Sequence, residues 1–284
     1  MNIRLSAFAD EASADLAEQI RVLREERIQY IELRGLDGKN VSDLTEEEAK
    51  RYKEMLDEGG IAVWSVGSPL GKIGVRDDFE AHLQKAAHTF RLAKVFGTEK
   101  VRVFSFYTKD PRRDEAEVFS RMRRMAELAA EYGVTLYHEN EKEIYGDTAE
   151  RCGRLLNALP SLRCVFDPAN FVQCGQDVSS ALALLEQRVD YYHIKDALAD
   201  GTVVPAGEGE GCVSRMIAGI GKDTVLTVEP HLAVFEGYAN IDHTQLKNKY
   251  VYATPQEAFV AAVSALRTVL TENDYREENG IWIK

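Results

Sequence analysis

Four residues suited to metal-assisted chemistry each close a short run of β-branched and aromatic residues: Glu139 in VTLYHEN, Asp167 in RCVFDPAN, His193 in VDYYHIKD and Glu229 in TVLTVEPH. Any one acid at a strand end is, taken alone, more often a helix N-cap, a loop acceptor or half of an ion pair. As a set they call for a cation, because three carboxylates brought together repel one another and a metal ion removes that cost. Three carboxylates and an imidazole suit Mn2+, Mg2+, Co2+ or Zn2+, with Mn2+ the first choice, and do not suit copper or an iron–sulfur cluster. A cation so held is a Lewis acid. It draws charge from a carbonyl oxygen and makes a proton on the neighbouring carbon removable.

The elements that must position these groups alternate along the whole chain. Runs at 4–8, 28–33, 61–66, 100–106, 134–139, 163–167, 189–194 and 224–229 read as strands. After each comes a stretch with apolar residues every three or four positions, the spacing of an amphipathic helix. The second helix opens with Thr45 and Glu48 in a capping box and stops at Gly59 and Gly60. Eight such units in 284 residues, about 35 each, predict a single (β/α)8 TIM barrel domain over 1–284. The first strand leads into RLSAFADEAS, with no glycine-rich dinucleotide fingerprint, which counts against a doubly wound sheet. In a barrel the catalytic groups stand at the C-terminal ends of the strands, so strands five to eight bring the four candidates to one mouth. Long connections at 196–212 and 230–254 emerge on the same face, where loops serve as substrate lids or oligomer contacts.

Several other residues are expected near that mouth. Lys195 shares a strand face with His193 if the extended geometry continues, and would hold a substrate oxygen or phosphate, a solvated loop lysine being the alternative. Arg34, after the second strand, and Trp64, in the third, are candidates for lining a substrate pocket, with core packing the alternative for Trp64. His231 follows Glu229 closely enough to support it, a plain loop position being the alternative. His138 precedes Glu139 and should point the opposite way, as a structural histidine or, at an irregular strand end, as a base. His82 and His88 fall on the third helix and are expected to face solvent. The run Gly207-Glu208-Gly209-Glu210-Gly211 lacks the Lys-Ser/Thr ending of a phosphate loop and carries two acids, so it reads as a flexible active-site loop.

Composition narrows the partners. With 35 Lys and Arg against 47 Asp and Glu the net charge is −12, unfavourable for nucleic acid, which is bound by clustered cations. The one basic cluster, Arg121, Arg123 and Arg124, has helical neighbours Glu115, Glu117 and Glu127 and reads as a solvated face. No stretch approaches the ~20 apolar residues that cross a bilayer, and MNIRLSAFADEAS does not read as a secretory signal. Cys152, Cys164, Cys174 and Cys212 match no zinc-ribbon spacing and read as reduced thiols. The expectation is a cytoplasmic protein acting on a small molecule, with homo-oligomer contacts through the last long loop or the tail GIWIK.

The ordered set Glu139, Asp167 in FDPANF, His193 in HIKD and Glu229 in VEPH, with PAGEGE between the last two, resembles the xylose isomerase-like barrels, a superfamily of sugar phosphate isomerases and epimerases. The resemblance spans nearly the whole chain. It implies one divalent metal on those four residues, with Glu139 and Glu229 also exchanging protons with substrate. The implied function is a metal-dependent isomerase or epimerase of a sugar, sugar phosphate or polyol, working through an enediolate. Elimination from a keto-polyol, as in a dehydratase or lyase, uses the same site and is the alternative. Two departures concern the substrate. The ketose 3-epimerases resembled here carry a His and an Arg where this chain has Asn170 and Ala199. Asn170 still offers hydrogen bonds to a hydroxyl; Ala199 offers none. The apurinic endonucleases of the same fold need further histidines that are missing here, and a non-catalytic sugar-binding subunit is the last rival.

Overall fold

In a computed structural model describing residues 1–234 and 247–284, the eight runs form eight parallel strands: β1 Asn2–Ala7, β2 Tyr30–Leu33, β3 Ala62–Gly67, β4 Lys100–Val103, β5 Thr135–Glu139, β6 Arg163–Phe166, β7 Val189–Ile194 and β8 Thr224–Val228. Each pairs with the next, and β8 pairs back onto β1 from Ile3↔Thr224 to Ala7↔Val228, so the barrel closes. Closure leaves no barrel strand edge exposed and points alternate side chains inward.

Among the described residues the helices are α1 Leu16–Glu25, α2 Glu46–Gly59, α3 Phe79–Val95, α4 Pro111–Glu131, α5 Ala149–Ala158, α6 Pro168–Gln173, α7 Val178–Leu185, α8 Val213–Ala218 and α9 Pro255–Glu272. The capping box forms as predicted: Thr45 caps the Glu48 amide, the Glu48 side chain caps that of Thr45, and Gly60 ends α2 in the left-handed region. The main core lies between strands and helices. A smaller cluster of Tyr137, Val165, Tyr191 and Val225 fills the barrel interior, with Trp64 packed against it.

The structure departs from the expectations at several points. Residues 104–106 leave the fourth strand, and their backbone bonds instead to the loop after β3, with the Phe104 amide donating to Leu70 O and the Phe106 amide to Gly71 O. The tail packs back onto the barrel. Arg276–Glu278 (β9) and Ile281–Ile283 (β10) form a hairpin that runs antiparallel to the start of β1 and buries Trp282. His82 is buried rather than solvent-facing, because its Nε2 accepts from the Gly71 amide and its ring packs on Phe79 and Phe106. His88 is half-buried, with Nε2 2.7 Å from Leu44 O. Arg121 is also buried, lying over the Phe79 ring and donating to Glu117 and to Asp77 O. Part of the predicted long connection at 230–254, residues 235–246, lies outside the described residues.

Candidate metal centre at the barrel mouth

Strand ends assemble the centre. Glu139 is the last residue of β5, Asp167 follows β6, His193 is the penultimate residue of β7, and Glu229 follows β8. One ligand atom from each lies within 4.8 Å of the others, and all four side chains are buried. Asp167 is also the N-cap of α6, where Oδ1 accepts from the Asn170 amide; Pro168 stands at N1. Asn140 secures the same turn, accepting from the Asp167 amide and donating to its carbonyl.

Among the described residues, each of the four keeps one buried atom without a hydrogen-bond partner: Glu139 Oε2, Asp167 Oδ2, His193 Nδ1 and Glu229 Oε2. Lys195 Nζ reaches Asp167 Oδ2 at 2.9 Å and Glu229 Oε2 at 3.6 Å, and Arg102 Nη1 reaches Glu139 Oε2 at 3.1 Å. These are ion-pair distances without the directionality of a hydrogen bond. His193 Nδ1 lies 3.0 Å from Glu139 Oε1 and 3.3 Å from Glu229 Oε2. Among the described residues, the buried mouth holds six carboxylates, Asp10, Glu11, Glu32, Glu139, Asp167 and Glu229, against three permanent cations, Arg34, Arg102 and Lys195. Orphaned donor atoms converging in a negative, buried setting of oxygen and imidazole fit one divalent ion.

The protonation pattern has the same origin. Burial pushes the Asp167 carboxyl up to about 7, with Glu229 and Glu139 adding to the effect of burial and Lys195 opposing it. Burial would raise Glu229 too, but Lys195 and His193 hold it well below the carboxylate range. Burial opposes a charge on His193, yet Glu139 and Glu32 hold it well above the ordinary histidine range. Protons on Asp167 and His193 thus offset charge that a bound cation would neutralise.

Around this centre the other predicted residues fall in different places. Asn170 Nδ2 donates to Asn140 O at 2.9 Å and reaches Glu139 Oε1 at 3.4 Å, so its amide steadies the turn and a ligand. Arg34 is at the mouth but engaged with acids: Nε and Nη2 fork onto Asp10, Nη2 also reaches Glu11, and Nη1 reaches Glu229 Oε1 at 3.0 Å. His231 donates its amide to Glu11, and its Nε2 lies 3.5 Å from Glu229 Oε1.

Trp64 takes its core-packing alternative and His138 its structural one, both away from the centre. Trp64 stands near the start of β3, edge-on to Tyr30 and Tyr191 with Lys100 over its ring, so it floors the barrel at the N-terminal end. His138 turns outward from β5, as strand alternation requires. Its Nε2 meets Ser105 Oγ at 2.9 Å, and burial pushes the ring down to about 3, which removes it as a base.

Four charged residues at the centre escaped the sequence reading. They are Asp10 and Glu11 from the turn after β1, Arg102 from β4 and Glu32 from β2. For Glu32 a signal existed: Tyr30, Glu32 and Arg34 alternate along a parallel strand, whose outer face is covered by helices, so the polar set has to point into the barrel.

The sequence pattern of the xylose isomerase-like TIM barrel family matches residues 20–245. The chain belongs to this family. Solved members and relatives share the fold at low identity. A probable 3-DHS dehydratase, AsbF, involved in petrobactin synthesis in Bacillus anthracis, is 19% identical with TM-score 0.72 over 94% of this chain and 99% of its own. The IOLI protein with a bound zinc atom is 17% identical with TM-score 0.73 over 95% and 99%. D-psicose 3-epimerase in the presence of D-fructose is 13% identical with TM-score 0.73 over 93% and 97%. Among curated proteins no sequence match was found. Among the described residues of this xylose isomerase-like barrel no helix is long and apolar enough to cross a membrane.

The glycine run of this barrel does bind an anion, and the anion is its own. Asp196 accepts from the amides of Gly207, Gly209 and Gly211 as well as from Ala197, pinning the loop beside Lys195. A Cβ at Gly209 would stand 2.3 Å from Asp196 Oδ1 and 2.5 Å from Ala197 O. Gly209→Ala is therefore expected to cost about 1–3 kcal/mol, the usual penalty of forcing atoms into a packed site, measured by urea unfolding. A variant as stable as the parent would show that the loop does not rest on this carboxylate.

Proposed function

We propose that the protein is a divalent-metal-dependent isomerase or epimerase of a sugar, sugar phosphate or polyol, moving a proton on a carbon next to a carbonyl. The observation that carries this reading is the convergence of four buried ligand atoms without a hydrogen-bond partner among the described residues, with Glu139 Oε1 3.0 Å and Glu229 Oε2 3.3 Å from His193 Nδ1. Mn2+ is the proposed ion. Bound there, it supplies a Lewis acid that draws charge from the carbonyl oxygen.

The residues of the chain do the rest. Glu139 and Glu229 flank the reacting carbon, one taking its proton and the other returning one to the opposite side. Lys195, held by Asp167 and Glu229, presents an ammonium to a substrate oxygen. Arg34 and His231 fix the second oxygen of Glu229, so its free oxygen keeps one direction.

Elimination is the second reading, favoured by one feature. The Lys195 ammonium stands within ion-pair reach of two of the ligands and can protonate a departing hydroxyl. Four free cysteines support a reducing, cytoplasmic setting.

The test is to incubate the Mn2+-loaded protein with candidate ketoses in D2O and follow the products by NMR. Deuterium is expected beside the carbonyl without loss of water, and at saturating Mn2+ Glu139→Gln and Glu229→Gln should each slow its entry by about 10²–10⁴-fold. Full exchange in both variants would remove the two glutamates from the chemistry, and a dehydrated product would replace isomerisation by elimination.

A further inference from the structure

Glu32 sits inside the barrel, 1% exposed, on a strand whose partners there are otherwise aromatic, aliphatic or hydroxyl-bearing. An unpaired carboxylate at that depth would be costly, so its contacts define its purpose. Among the described residues there are three, all from β7 and β8 beyond β1. Tyr191 OH donates to Oε1 at 2.9 Å, Thr227 Oγ1 donates to Oε2 at 3.1 Å, and His193 Nε2 lies 3.2 Å from Oε2. The parallel register between β2 and β3 shifts between Ile31 and Glu32, an irregularity of the sort that re-aims a side chain near a functional site.

The contact with His193 is specific in its consequence. A carboxylate oxygen accepts, so the ring nitrogen facing it must carry the hydrogen. With Nε2–H kept by Glu32, Nδ1 is the nitrogen that gives up its hydrogen when a cation arrives and then offers the lone pair. Nδ1 is the atom that has no hydrogen-bond partner and faces Glu139 Oε1 and Glu229 Oε2. The ring is also held in plane from below, with Phe8 edge-on at 5.1 Å and Tyr191 at 5.6 Å. Tyr191 and Thr227 in turn fix the carboxylate, and they come from the strands that carry His193 and Glu229.

We propose that Glu32 is a positioning residue for the metal centre. By accepting from His193 Nε2 it selects the tautomer that presents Nδ1 to the cation, and its negative charge makes that nitrogen a stronger donor. This rests on the reading of Glu139, Asp167, His193 and Glu229 as a metal site. Partners of this kind, one bond removed from the ion, are worth about 10–100-fold in metal affinity.

Two measurements test it. Mn2+ titrated calorimetrically into the parent and Glu32→Gln should show a 10–100-fold weaker dissociation constant in the variant, since Gln keeps an acceptor for Nε2 and loses the charge. Independently, 15N-labelled parent protein loaded with Zn2+ should show His193 as the Nε2–H tautomer with the metal on Nδ1, a result that needs no variant to fold. Equal Mn2+ affinity in parent and variant, or metal on Nε2, overturns the role of Glu32 while leaving the site standing. Failure of the parent to bind either ion overturns the site itself and Glu32 with it. A purely structural Glu32 would lower the unfolding midpoint in Glu32→Gln without changing Mn2+ affinity, and that pattern also counts against the proposal.

Discussion

Asp167→Asn is expected to abolish Mn2+ binding in the micromolar range and to lower turnover by about three orders of magnitude. The substitution is nearly isosteric, and Asn is as good an N-cap as Asp, so Oδ1 should still accept from the Asn170 amide and α6 should keep its start. What disappears is the charge on Oδ2, which pairs with Lys195 but makes no hydrogen bond among the described residues. Lewis-acid stabilisation of developing charge is worth several kcal/mol, and about 1.4 kcal/mol is a factor of ten in rate.

The pH dependence in the parent follows from the same group. Burial raises Asp167 to about 7, and the carboxylates facing His193 hold it well above its ordinary value, so the metal-free centre carries protons that a cation must displace. Ligands bind metal deprotonated, and affinity therefore rises with pH until those protons are gone. Between pH 6 and 8 the parent's Mn2+ affinity should climb, with proton release visible as a buffer-dependent heat. An Asn variant binding Mn2+ within tenfold of the parent, or a parent whose affinity is flat over that range, would be incompatible with this arrangement.

The parts of the molecule that sequence reveals are those governed by short-range pattern. All eight barrel strands lie within about three residues of their expected ends, because each is a compact β-branched or aromatic run followed by a helical period. The four candidate ligands were legible for a related reason: in a barrel a polar residue at a strand's C-terminal end has one place to point. His138 and Glu139 even sort themselves by alternation. What stays hidden depends on contacts across the barrel. Glu32 lies 161 residues from the histidine it touches. Arg34 gathers acids from β1's turn and from beyond β8. The glycine run could be separated from a phosphate loop by its acids, but its true anion, Asp196, is set by loop closure. His82 was misplaced because helix α3 has a weak apolar face, and only the Gly71 amide it accepts from explains its burial.

Arg34→Met is the second substitution with a large expected effect, and it acts on stability before chemistry. The guanidinium is 4% exposed and touches Asp10, Glu11 and Glu229 while lying 4.3 Å over the Phe8 ring. Met keeps the apolar stem and removes the charge, leaving three buried carboxylates facing one another. Breaking a buried pair from one side costs about 3–5 kcal/mol. The loss should also depend on pH. Burial already pushes Glu11 up to about 8 despite Arg34 opposing it, with Glu229 and Asp10 pushing further. Its folded-state value lies above its unfolded one near 4.5, so the stability it contributes is full below about 4.5 and is lost as pH rises through about 8. Without Arg34 the folded value moves higher still. At pH 6 Glu11 is protonated in both proteins and the variant suffers mainly through Asp10 and Glu229; above pH 8 the parent can ionise Glu11 against Arg34 and the variant cannot. Denaturant unfolding of the metal-free proteins should therefore show a gap that widens from pH 6 to 9. Added Mn2+ should narrow it, since a cation on Glu229 takes over part of the neutralisation. A gap below about 1 kcal/mol at every pH, the usual worth of an exposed pair, would mean that Arg34 does not hold these acids together.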